Sequence, residues 1–70
     1  LKEALEYYTK AAEMNKNDFT TPRFLLKAGQ TELALGDKDA ALKHFTEIKD
    51  NYSTSPEGMS IDAMIGLAQK

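Results

Sequence analysis

A single histidine, His44, and two close pairs of carboxylates, Asp37 with Asp39 and Glu47 with Asp50, are the residues whose types invite a search for chemistry. Acid–base or metal work needs convergence: a nucleophile requires a base within reach, and a metal ion requires several ligands on one surface. Lys43 and Phe45 beside His44 offer no second ligand, while Glu47 and Asp37 are its nearest carboxylates in the chain. A lone histidine on a helix surface with no convergent partner reads as a solvated side chain, and the carboxylate pairs read as solubilising faces. The chain has no cysteine, which removes disulfides and thiolate chemistry and leaves the redox compartment open. Gly36 and Gly58 fall at helix boundaries, where glycine has an ordinary backbone role, and no glycine-rich phosphate loop is present. The sequence therefore names no catalytic residue, no metal ligands and no cofactor site. The expectation is a protein that binds rather than an enzyme.

Composition narrows the partners. Seventy residues make at most one small domain, and a chain of this size buries only about 60% of its unfolded surface, so its stability is marginal. Nine basic residues stand against eleven acidic, a net charge of −2, with the signs interspersed. Such a surface generates no field that attracts polyanions, which argues against nucleic acid as a partner. No apolar run approaches the roughly 20 residues of a membrane span, so direct membrane insertion is not expected. The chain opens at Leu1 without a methionine and already inside a helical pattern, which reads as a piece of a longer protein whose targeting segment would lie upstream. The compartment stays open between the cytoplasm and a bacterial periplasm or envelope.

The elements that would position these residues are helices, expected near 1–15, 21–35, 38–52 and 57–69. Leu1, Ala4, Leu5, Tyr8, Ala11 and Ala12 recur at the spacing of one helix face, with Lys2, Glu3, Glu6, Lys10 and Glu13 on the rest. Asn15-Lys16-Asn17-Asp18 ends this helix with residues that compete for their own backbone. Thr20 or Thr21 then caps the next, Pro22 suits its first turn, and Phe19 is placed to close on Phe24 as a hydrophobic staple. Leu25, Ala28, Gly29, Leu33 and Leu35 form its apolar or small face. Gly29 in mid-helix costs about 1 kcal/mol relative to alanine, which points to close approach of a neighbouring helix. Gly36-Asp37 stops that helix and caps the third, and so short a connection forces the pair antiparallel. Ala41, Phe45, Ile48 and Tyr52, with Leu42 beside them, face inward on the third. Ser55-Pro56-Glu57 starts the fourth, which buries Ile61, Met64, Ile65 and Ala68.

A repeat runs through this pattern. Ala4, Leu5, Tyr8 and Ala11 correspond to Ala41, Leu42, Phe45 and Ile48 at a constant offset of 37 residues, the signature of a solenoid. Leu25, Ala28-Gly29, Gly36, Ala41 and Phe45 together resemble one tetratricopeptide repeat (TPR), a helix-turn-helix unit of about 34 residues. The resemblance covers one and a half repeats and a terminal helix: residues 1–18 as the second helix of a preceding repeat, 22–55 as a complete repeat, 56–70 as a capping helix. Glu32 stands where the family has an aromatic, Ile48 where it has a small residue, and Ser53 where it has a proline. The stretch from Phe45 to Tyr52, followed by Ser53 and Pro56, is similar to divergent repeats of bacterial cell-envelope TPR proteins.

The resemblance implies an all-α fold of antiparallel helix-turn-helix units stacked as a short α-solenoid. It also implies a non-catalytic scaffold whose first helices line a concave groove for a peptide or partner helix, here Arg23, Leu26, Lys27, Gln30, Leu33 and Ala34. Lys27 and Gln30 could meet a carboxylate, yet they do not reproduce the Lys-Asn arrangement with which some co-chaperone TPR domains hold C-terminal carboxylates. The alternative reading is a structural spacer or self-assembly element of a larger bacterial envelope protein. In the TPR reading Leu1, Leu5, Tyr8 and Ala12 of the first helix lack part of their partner, and two copies could cover each other through a two-fold contact.

Overall fold

Leu35-Gly36-Asp37 makes the turn on which the centre of the molecule is folded. Gly36 adopts φ +86°, its N–H donates to the Leu33 carbonyl (3.1 Å), and the Asp37 N–H donates to the Glu32 carbonyl (2.8 Å). This is a Schellman stop, in which glycine carries the left-handed conformation that other residues resist. Asp37 then caps the next helix, its carboxylate accepting from the Ala40 N–H at 3.1 Å. The computed structural model describes residues 1–14 and 16–70 and is all-α: α1 (Lys2–Met14), α2 (Thr21–Ala34), α3 (Lys38–Asn51) and α4 (Pro56–Gln69). These bounds agree with the expected helices to within two residues. The expected end of the first helix at Asn15 lies outside the described residues.

Each helix packs on its neighbour in the chain, and α2 also approaches α4, as in a short helical repeat. The resulting slab measures 27 × 25 × 14 Å, with α2 touching all three other helices. Its core is Ala12, Leu25, Ala28, Ala41, Phe45, Ile48, Ile61 and Ala68, with Phe24, Leu26, Leu33, Leu42, Tyr52, Met64 and Ile65 packed against it. Gly29 has the role expected of it. A Cβ built there would lie within 3.0 Å of three atoms of the Phe45 ring, so the bare backbone is what admits the aromatic. Leu35 belongs to the turn rather than the buried face and is 39% exposed.

The start of α2 departs from expectation. The N-cap residue, Thr20, makes no side-chain cap, and Asn17 organises the loop. The Asn17 carboxamide oxygen accepts from the N–H groups of Phe19 (2.9 Å) and Thr20 (2.7 Å). Its Nδ2 donates to Thr20 Oγ1 (2.7 Å), and its own N–H donates to the buried Thr21 Oγ1 (2.8 Å). Both hydroxyls are thus engaged by asparagine, whose side chain mimics a backbone turn. That turn directs Phe19 outward, where it is 84% exposed, so the staple to Phe24 does not form. Phe24 packs on Tyr7 and Tyr8 instead, with ring centroids 6.2 and 6.5 Å apart. The start of α4 is as expected: Ser55 Oγ accepts from the Gly58 N–H (2.9 Å) and donates to the Tyr52 carbonyl (2.6 Å). Gly58 does more than mark a boundary, because a Cβ there would fall within 3.0 Å of the Tyr52 and Ser53 backbone.

Candidate functional site

The six residues expected to line a groove all stand on α2, but α1 and α4 draw them to different neighbours. Lys27, Gln30 and Ala34 are exposed and face α1, where with Leu1, Tyr8 and Thr31 they enclose an open hollow of about 230 Å³. The Lys27 ammonium lies 5.9 Å from the centroid of the Tyr8 ring, within the range of a cation–π contact. Arg23 turns to the other side, its Nε 4.0 Å from the Glu57 carboxylate of α4. Leu26 and Leu33 are half-buried and pack against the core. The polar members are therefore accessible, while the two leucines are given to the core.

A second surface was not foreseen from the sequence. Tyr7, Ala11 and Met14 of α1, with Phe24 of α2 and the loop residues Asn17 and Thr20, surround an apolar hollow of about 530 Å³. Tyr7 is 63% exposed and Met14 77%. Tyr7, Tyr8 and Phe24 form one aromatic group, the two tyrosine rings 5.7 Å apart and edge-to-face. Its signal in the sequence was the Tyr7-Tyr8 pair, of which only Tyr8 falls on the helix stripe.

His44 corrects the reading of a solvated histidine. Its Nδ1 lies 2.5 Å from the Glu32 carboxylate, which is itself buried on α2. The two side chains meet between the adjacent helices α2 and α3, and the carboxylate is satisfied by the imidazole. This also explains why a charged residue is accepted at the buried position 32. His44 borders a hollow of about 100 Å³ with Thr9, Glu13, Lys16 and Glu47. A carboxylate orienting an imidazole is two thirds of a hydrolytic triad, but the nearby hydroxyl, Thr9 Oγ1, donates to the Leu5 carbonyl at 2.8 Å. Among the described residues no three His, Asp or Glu side chains converge as metal ligands, and no helix is long and apolar enough to cross a membrane.

No family model, curated protein or solved structure matches the chain. The functional reading rests on the geometry and on the sequence resemblance. In that geometry the exposed large apolar side chains are concentrated on the outermost helices: Leu1, Tyr7 and Met14 at α1, Met59 and Leu67 on α4. The chemistry on offer is that of a surface that grips another chain through aromatic and aliphatic contact with a few long polar groups at the rim.

Proposed function

We propose that this chain is a non-catalytic, TPR-type scaffold module that binds a peptide or partner helix along α2, between Arg23 and Ala34. The observation that carries the reading is the hollow in which Lys27, Gln30 and Ala34 stand around Tyr8. A half-buried aromatic flanked by a flexible cation and an amide is suited to anchor an apolar side chain while satisfying the backbone or a carboxylate beside it. The pattern Ala28-Gly29, Gly36, Ala41 and Phe45, which resembles a TPR, supports it. The likeness of Phe45 to Tyr52 to repeats of envelope proteins extends it to a bacterial scaffold.

Panning a displayed peptide library against the chain tests the proposal. Selected peptides should shift the amide resonances of Lys27, Gln30 and Ala34, and charge reversal by Lys27→Glu with Arg23→Glu should weaken binding at least about tenfold, more than one rim contact is worth. Lys43→Glu on α3 should leave it unchanged. Peptides that bind equally well to the double variant would overturn the assignment. A structural spacer is the second reading, and the apolar faces left open on α1 and α4 favour it.

A further inference from the structure

Beside the start of α2 the connection from α1 to α2 meets the connection from α3 to α4, and Asp18 and Phe19 of the first face Tyr52, Thr54, Ser55 and Pro56 of the second across a groove of about 190 Å³. Leu1 stands at the other end of α2, beside Ala34. Both walls are connections with a described helix on either side, and both are held in place. Asn17 fixes the first by accepting from the N–H groups of Phe19 (2.9 Å) and Thr20 (2.7 Å), which keeps the Phe19 ring 84% exposed. In the second wall the Tyr52 carbonyl accepts from the Ser55 N–H (3.1 Å) and the Ser55 hydroxyl (2.6 Å). That wall also packs closely on α4, since a Cβ at Gly58 would fall within 3.0 Å of the Tyr52 and Ser53 backbone. The groove is formed before any partner arrives.

Its lining suits a cation with a flat apolar face. Phe19 and Tyr52 line it from opposite walls, and among the described residues neither ring packs on another. The Ser55 hydroxyl is already engaged by the Tyr52 carbonyl and the Gly58 N–H. The one charge in the lining is the Asp18 carboxylate, which forms no ion pair among the described residues. The two cations nearest to it in the chain are directed elsewhere: Lys16 borders the hollow beside His44, and Arg23 lies 4.0 Å from Glu57. Aromatic faces beside an unpaired carboxylate attract a cation twice, through the ring quadrupole and through opposite charge. Arginine answers both at once, because its planar guanidinium stacks on a ring while its fork of N–H groups donates to a carboxylate. Volume points the same way. Pockets that enclose a whole small molecule run to roughly 300–1,000 Å³, so this groove has room for a single side chain.

We propose that this groove holds an arginine side chain of a partner polypeptide, its guanidinium between Phe19 and Tyr52 and hydrogen-bonded to Asp18. Phe19, which the core leaves in water, is then the outer wall of the site, and Tyr52, half-buried against the core, is its base. None of the lining residues belongs to α2, so the site is separate from the surface between Arg23 and Ala34. A contact of one side chain at an exposed site is weak, on the order of millimolar, and in a longer partner it acts by fixing register beside other contacts.

NMR titration of the 70-residue chain with acetylated, amidated Gly-Arg-Gly at constant ionic strength tests this, with Gly-Lys-Gly and Gly-Leu-Gly for comparison. The arginine peptide should shift the amide resonances of Phe19, Tyr52 and Thr54 and leave those of Lys27 and Gln30 on α2 in place, which separates this site from the surface along α2. Asp18→Asn and Phe19→Leu should each weaken binding about two- to fivefold, the contribution of one exposed ion pair or cation–π contact. Both positions are exposed, so the fold is expected to survive, and circular dichroism verifies it. Added sodium chloride should weaken binding to the unaltered chain as well, a readout that needs no variant. Three results would each overturn the proposal: no shift at Phe19 and Tyr52 with peptide on the order of 10 mM, equal shifts from the lysine or leucine peptide, or tighter binding of free methylguanidinium than of the arginine peptide.

Discussion

Residues 37 apart on α1 and α3 occupy equivalent places on similar helices, yet Ala41, Phe45 and Ile48 are wholly buried while Ala4, Tyr8 and Ala11 stay partly in water. Residue type does not account for the difference, since both sets are apolar and both follow the same stripe. Neighbours do. α3 lies between α2 and α4, whereas α1 rests on α2 alone. In a stacked helical architecture burial is a property of position in the stack, because each unit contributes a face that only its neighbour can cover. The same pattern is thus core in one place and a partly exposed face in the other.

The sharpest way to break this comparison is to remove the aromatic from each helix. Phe45→Ala opens a cavity at the centre of the molecule and should cost about 3–5 kcal/mol, enough to unfold a domain of this size. Tyr8→Ala removes a ring that already spends part of its surface in water, and should cost about 1–2 kcal/mol. Urea titration followed by circular dichroism measures both. Equal losses would mean that α1 is as tightly held as α3, and that its face is not open.

A smaller effect sharpens the same point by adding volume instead of removing it. Ala41 is completely buried, so Ala41→Leu should overpack its surroundings by about 1–3 kcal/mol. Ala4→Leu, at the equivalent place on α1, has solvent to expand into and should change the unfolding midpoint little. A comparable loss at Ala4 would show that the 37-residue register is wrong.

Helix positions are legible in the sequence because cap signals and periodicity agree. Gly36, Asp37, Ser55 and Pro56 act locally, within a few residues of where they stand in the chain. Gly29 is legible too, since a mid-helix glycine has few reasons to exist other than close approach. The features that escape are decided by competition or by long-range pairing. Before α2 the Asn17 side chain takes the N–H groups of Phe19 and Thr20 and donates to Thr20 Oγ1, a loop arrangement that leaves Phe19 in solvent and that no cap signal announces. The Glu32–His44 pair joins residues 12 apart on different helices, so neither residue betrays it alone. Within the groove, helical spacing alone groups Lys27, Gln30 and Ala34, but the recruitment of Arg23 by Glu57 depends on α4, which no pattern within α2 reveals. The hollow around Tyr7 and Met14 depends on how α1 meets Phe24 and the Asn17–Thr20 loop, which no pattern within α1 reveals.

The smallest expected effects come from two mid-helix glycines, Gly29 and Gly66, in contrasting settings, and their value is that they differ in sign. Gly66→Ala puts a methyl group into open space on α4, where nothing lies within 4 Å. Replacing glycine by alanine inside a helix removes freedom from the unfolded chain and should stabilise by about 0.5–1 kcal/mol. Gly29→Ala brings the same gain, but its methyl group falls within 3.0 Å of the Phe45 ring, which has α2 on one side and the rest of the core around it and cannot swing away. Overpacking of about 1–3 kcal/mol should exceed the propensity gain and leave the variant less stable than wild type. Thermal melts at concentrations low enough to keep the chain monomeric isolate these terms from any contact between copies. If both variants were stabilised, Phe45 would have room that the geometry denies it. If both were destabilised, the α4 face would already be covered.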